Sequence, residues 1–269
     1  MMRYLTLIPT LISGAILLVL VLFLGYFSLP LLRAEAIGEL LGGADVSLLA
    51  MLTASLVLSV TATLLATLFA LAVALSLESM PSSRLKVLML GFVNLLTAIP
   101  TVVYGFVGVV VLIPFMRDVT GGSGYSLLTA ALVLSLVVTP TIILFFNDSF
   151  RSVPKTYKSI VYALGGNSEH YQLKVLLRAA SRGLSVGVMM GFARAIGDTM
   201  IALMLSGNAL VMPDSLSGSA RVLTAHIALL FAGDFDSLEF RSIFASGLLL
   251  FLLSTIVVML MRRMRVRHA

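Results

Sequence analysis

"GFARAIGDTMIAL", Gly191–Leu203, is the stretch on which the fold turns. It lies inside an apolar run from Leu184 to Leu205 that carries an arginine and an aspartate, Arg194 and Asp198. Such a run is long enough to cross a bilayer, which takes about 20 residues. The rest of the chain agrees. Of 269 residues 59% are hydrophobic and only 11% charged, with a mean hydropathy of +1.10. A soluble domain carries about a quarter charged residues. These are too few charges to coat a protein in water, so its main solvent is lipid.

Six apolar stretches predict six spanning helices in an all-α polytopic chain: Ile8–Leu32, Leu48–Leu77, Val87–Met116, Leu127–Phe146, Leu184–Leu205 and Ile243–Met261. Pro100 and Pro140 fall within two of them, where neighbouring helices tolerate kinks that shape a path. The first stretch is too long for the apolar region of a signal peptide, and no clear cleavage site follows it. Residues 1–269 read as one transmembrane domain. Charge sorts the connections. Arg33–Asp45 holds one base and three acids, and Glu78–Lys86 two bases and one acid. Arg117–Tyr125 is neutral, and Asp148–Arg182 holds six bases and two acids. Ala209–Glu239 has one base and four acids, and the tail "RRMRVRHA" four arginines. Lys and Arg gather on the cytoplasmic side. Both termini, the Glu78 turn and the 148–182 loop are therefore expected inside the cell. The formal charge of +6 is then a topology signal beside anionic lipid, not a nucleic-acid surface. Within the outer 209–239 loop, "ARVLTAHIALLFAG" is apolar but too short to span. It predicts a surface or re-entrant helix after a turn at Pro213 and Gly218.

Several chemistries drop out. The chain has no cysteine, and its three histidines (His170, His226, His268) form no metal-ligand spacing, so no metal site is expected. No GxxxxGK[ST] stretch occurs, so the chain is not an ATPase and binds no cofactor itself. An intramembrane aspartyl protease needs two carboxylates sharing a proton. Asp198 has no second membrane acid, since Asp148 falls just past its apolar stretch.

In the fifth stretch Gly183, Gly187, Gly191 and Ala195 recur every four residues, and Thr199 continues the row. Small residues at this spacing let helix backbones approach in lipid. Arg194 and Asp198 flank the row, and at i, i+4 their side chains can meet. Each ion at mid-membrane costs roughly 2.5–3.5 kcal/mol on insertion scales. A pair that only fixes helix orientation is one reading. The other is anion recognition: the guanidinium offers a fork of donors that matches an oxyanion. An acid beside it suits phosphate, which keeps a P–OH near neutral pH; sulfate has no such donor. Asp198 then positions Arg194 and accepts that proton, with Thr199 and Asn208 as neutral partners.

The 148–182 loop predicts two short helices around a bend at Gly165–Gly166–Asn167, with Pro154 opening the first and Ser168 capping the second. It reads either as an interfacial element lying on lipid headgroups or as the dock for a cytosolic motor. In the second reading Tyr162, Ala163, Leu164, Gly165, Gly166 and Asn167 form the inserted knob.

"RAIGDTM" (Arg194–Met200), "SGN" (Ser206–Asn208) and "RVLTAHIA" (Arg221–Ala228) resemble the phosphate-specific ABC importer permeases, where a glutamate usually stands at Asp198. "AIPTVVYGFVG" (Ala98–Gly108) is similar to that family's third-segment motif. "SFRSVPKTYKSIVYALGG" (Ser149–Gly166) resembles the approach to the cytoplasmic EAA loop of ABC permeases. There Ser159 stands for the usual glutamate, Ile160 and Val161 for the paired alanines and Arg178 for the late proline, while Gly165 keeps the glycine. The likeness covers the chain from about Ala98 onward and leans toward the C-type subunit. It implies a type I importer permease fold in a bacterial or archaeal inner membrane. It further implies a second, non-identical A-type permease, two cytosolic ATPase subunits that use ATP and Mg, and an extracytoplasmic phosphate-binding protein. A permease for molybdate, tungstate or sulfate and a non-transporting phosphate sensor are the alternatives.

Overall fold

The computed structural model describes residues 2–29, 47–80, 82–231 and 237–266. Among them are ten helices and no strand: α1 Met2–Ser28, α2 Leu48–Ser79, α3 Ser83–Ala98, α4 Thr101–Thr120, α5 Leu127–Arg151, α6 Lys155–Ala163, α7 Ser168–Ile196, α8 Met200–Leu205, α9 Leu223–Leu230 and α10 Leu238–Val266. Six are long and apolar enough to cross a membrane, so the chain is a multi-pass membrane protein. Hydroxyl and amide side chains start several of them by satisfying amides that have no partner within the helix. The Oγ of Ser47 accepts from the amide of Ala50 at 3.2 Å, that of Ser126 from Thr129 at 3.1 Å, and Asn167 Oδ1 from His170 at 2.8 Å.

The core is α5 wrapped by α2 and α7. Along α2, Ala54, Leu58, Ala62, Ala66, Ala70 and Ala74 recur every four residues and are at most 3% exposed. Lipid tails are as apolar as the side chains, so close packing rather than escape from water holds such helices together. Small residues make that packing possible, and this alanine row goes unmarked by hydropathy. The glycine row of α7 lies against α5: a Cβ on Gly187 would sit 2.9 Å from Phe145 Cβ, and one on Gly191 2.6 Å from Ile142 Cδ1. A Cβ on Gly183 would collide with Ser149. At the periphery α1 and α10 pack antiparallel, with Phe27 and Phe244 stacked at 4.9 Å between centroids. The ends of these two helices that carry the chain termini therefore share one side of the bundle, here called basal; the other is distal.

Several expectations are corrected. The third stretch is not one helix. Its chain turns extended at Ile99 before Pro100, dividing α3 from α4, because a residue ahead of proline is pushed out of the helical region. Pro140, by contrast, stays inside an unbroken α5. The fifth span starts sixteen residues earlier than Leu184, at Ser168, and stops at Ile196, so Leu184–Leu205 is interrupted at Gly197. The second helix of the basal loop is thus not short: it is the start of α7, and Asn167, not Ser168, caps it. Of the two readings of the distal helix α9, lying flat on the surface does not fit its first turn, although Leu229 further along is exposed. Leu223, Thr224, Ala225 and His226 are buried, and the Ser55 Oγ of α2 accepts from the Leu223 amide at 2.9 Å. The end of the first stretch at 30–32 and the loop 33–45 lie outside the described residues.

Candidate functional site

The α7 helix runs unbroken from the basal bend to Ile196, about 43 Å at 1.5 Å per residue. It stops at Gly197–Asp198–Thr199, and the chain restarts as α8. Asp198 causes the restart: its Oδ1 accepts from the Ile201 amide at 2.9 Å, which caps the new helix. Its backbone carbonyl accepts from Thr224 Oγ1 at 3.0 Å, tying the break to α9. Because Asp198 has left the helix, the i, i+4 meeting with Arg194 does not occur. Among the described residues the one ion pair is Lys86–Glu78, at 3.0 Å.

Arg194 sits in the last turn of α7, half-buried. Its Nη1 donates to Thr141 Oγ1 of α5 at 3.2 Å. That is its one hydrogen bond among the described residues, and it is to a neutral oxygen. The remaining donors of the fork have no protein acceptor there, nor does Asp198 Oδ2 have a donor. Thr141, directly after Pro140, was not singled out from the sequence; no sequence pattern marks a lone threonine in an apolar helix as an arginine's partner. Its position fixes the depth. The distal start of α5 at Ser126 is fastened to Leu205, whose carbonyl accepts from the Ser126 amide at 3.0 Å. Thr141 is fifteen residues further on, about 22 Å deeper. The guanidinium therefore lies level with the middle of the α5 span.

Thr199 stands in the break, where its carbonyl accepts from the Leu203 amide at 2.9 Å, so the small-residue row ends at Ala195. Asn208 is not part of this cluster. It lies at the distal end with a positive φ of 58°, its Nδ2 donating to the Leu203 carbonyl at 2.7 Å and its own carbonyl accepting from Arg221 Nε at 3.1 Å. There it lines a cleft of about 320 Å³ with Ser123, Tyr125, Met204 and Ser219. Arg194, Asp198 and Thr199 thus stand at one helix break, each with its own hydrogen-bond partner, and Asn208 lies beyond α8.

The basal bend is the second candidate surface. Gly165 adopts φ +80°, a backbone that residues with a Cβ rarely take, and this lets α6 reverse into α7. At the tip Leu164 is 83% exposed, with Tyr162 and Ile160 also exposed. Ala163 ends α6, and Gly166 and Asn167 complete the turn. The bend is fastened to the bundle behind it. Gln172 Nε2 donates to Ser79 Oγ at 2.6 Å, and Lys158 lies 5.7 Å from the centre of the buried Tyr171 ring.

Residues 66–268 match the profile of the family described as binding-protein-dependent transport system inner membrane component. The probable ABC transporter permease protein YqgH of Bacillus subtilis is 36% identical over 178 residues, 65% of this chain and 58% of that protein. The phosphate transport system permease protein PstC of Pasteurella multocida is 29% identical over 195 residues, 65% of this chain and 61% of that one. The chain spans about three fifths of the length of these curated relatives. Among solved structures, a bacterial alginate ABC transporter superposes with a TM-score of 0.71 at 14% identity, over 99% of this chain and 94% of the other. That likeness concerns the fold alone: a type I ABC importer permease fold.

Proposed function

Because this chain belongs to the family of binding-protein-dependent transport system inner membrane components, we propose that it is the membrane-spanning subunit of an ATP-driven importer that moves inorganic phosphate into the cytoplasm. One observation carries the reading: a guanidinium within the bundle whose only hydrogen bond, among the described residues, is to a neutral hydroxyl, and which forms no ion pair there. A buried guanidinium with no direct ion pair is costly, and a mobile anion between its free donors would offset that cost. Asp198 is set beside it by the cap it makes on α8, with one oxygen free to accept a P–OH. The likeness to phosphate permeases of the PstC type points to the same cargo.

The basal end faces the cytoplasm in this reading, since Arg262, Arg263 and the bases of the 148–182 loop collect there. The exposed Leu164 and Tyr162 at a rigid Gly165 turn suit docking into a separate ATPase, which brings ATP and Mg. The α7 helix joins that dock to Arg194 as one rod, so a basal push reaches the mid-membrane site. A second permease of the A type and an extracytoplasmic phosphate-binding protein complete the assembly.

The test is ATP-dependent uptake of labelled phosphate by the assembled complex in vesicles, with sulfate, molybdate and tungstate as competitors. The reading expects phosphate uptake that these dianions compete for weakly, and a loss of that selectivity in Asp198→Asn. Uptake of sulfate, molybdate or tungstate in preference to phosphate would reassign the cargo. Phosphate binding without uptake would make the chain a sensor.

A further inference from the structure

A groove of about 690 Å³ runs up the basal half of the bundle between α5, α7 and α10. Its basal mouth holds Arg182, Arg262, Asp148 and Ser152, with Ser149 just above. Higher up its walls are apolar, with Phe145, Val186, Met190 and Val258, while Met261 lies level with Arg262. Arg182 to Met190 is eight residues of α7, about 12 Å of depth. Neither arginine makes an ion pair among the described residues. Two arginines against one aspartate leave the mouth net positive.

The geometry points to a bound anionic phospholipid, with its phosphate between Arg182 and Arg262 and one acyl chain lying along the apolar wall. The lining changes from cationic and hydroxyl-bearing to hydrocarbon in the direction in which a lipid changes from headgroup to tail. Arginine forks and hydroxyls are donors suited to a phosphate diester. Basic pockets between helices at the cytoplasmic side recognise anionic headgroups in this way. Free phosphate is the competing occupant, because Met190 lies one turn below Arg194 on the same face of α7. The hydrocarbon walls between the two arginine levels give a small hydrated ion no partner and suit an acyl chain. The inference does not depend on which cargo the chain carries.

The experiment uses the full chain purified in mild detergent and exchanged into bilayer discs of equal parts phosphatidylglycerol and phosphatidylethanolamine. Native mass spectrometry counts the lipids that stay bound. Wild type is expected to retain phosphatidylglycerol over phosphatidylethanolamine. The double variant Arg182→Gln/Arg262→Gln should lower that preference on the order of tenfold, from two contacts near the headgroups. Arg263→Gln, outside the groove, should leave it unchanged. Equal retention by the double variant overturns the proposal, and so does displacement of the lipid by millimolar inorganic phosphate. A second readout does not depend on removing charge. The chain has no cysteine, so Val258→Cys carries a photoactivatable thiol reagent at that point alone. Crosslinking to phospholipid is expected; crosslinking to another polypeptide would give the groove to a protein partner.

Discussion

Two spanning stretches are broken, and they break differently. The third parts at Ile99–Pro100, where proline forbids a continuous helix. The loose end is repaired locally: Tyr104 Oη donates to the Leu96 carbonyl at 3.1 Å and the Val103 amide to the Pro100 carbonyl at 3.0 Å. No ion is involved. The fifth parts at Gly197–Thr199 with no proline, and the capping group is a carboxylate. The first break is a backbone constraint made good by neutral groups. The second places a carboxylate within the bundle, leaves Arg194 without the expected direct ion pair and links α7 to α9. A break that could be made without ions, yet is made with one, is the better candidate for handling a charged cargo.

The comparison can be broken or sharpened by substitution. The largest effect is expected at Gly191, against which α5 fixes the course of α7 below the second break. Gly191→Leu drives atoms into Ile142 and should cost about 3 kcal/mol or more, seen as a lower melting midpoint of the detergent-solubilised protein. Next comes Asp198→Ala, which removes the cap on Ile201 and should cost about 1 kcal/mol. Asp198→Asn keeps an acceptor there and should melt within a few tenths of a kcal/mol of wild type. If Ala and Asn melt alike, the capping account of the second break is wrong. At the first break Tyr104→Phe loses one neutral hydrogen bond and should cost about 1 kcal/mol or less without altering phosphate uptake. Altered uptake there would erase the contrast between the two breaks. The smallest effect is expected for Gly197→Ala. Gly197 is exposed, and an added Cβ would meet nothing nearer than 3.5 Å. A melting shift within about 0.5 kcal/mol would show that the carboxylate, not the glycine, sets the break.

The two breaks also mark how far the sequence could be read. Hydropathy located six spans, because lipid selects for apolar length. Pro100 announced a disturbance, although a kink was expected and a full break is present. The break at Gly197 was invisible: the apolar run continues through α8, and a mid-membrane Asp four residues after an Arg matches a salt bridge as well as a cap. Only coordinates show which one forms. The glycine row of α7 was legible from its spacing, whereas the equivalent alanine row of α2 blended into an apolar background. Arg194 stood out as an ion in oil. Its partner Thr141, on another helix 53 residues away, did not, because contacts between helices carry no local pattern. Asn208 reads from the sequence as a neutral donor beside Arg194, and the turn after α8 carries it to the distal end.

The central claim is that the Arg194 guanidinium supplies the counter-charge for a passing phosphate. It is tested most directly by initial rates of labelled-phosphate uptake in vesicles by the assembled complex, comparing wild type, Arg194→Lys and Arg194→Gln at matched assembly. Loss of a charge-assisted contact is worth about 1.5–3 kcal/mol, so Arg194→Gln should be slower by roughly tenfold to a hundredfold, with Arg194→Lys between. An Arg194→Gln complex that assembles and takes up phosphate at the wild-type rate would contradict the account.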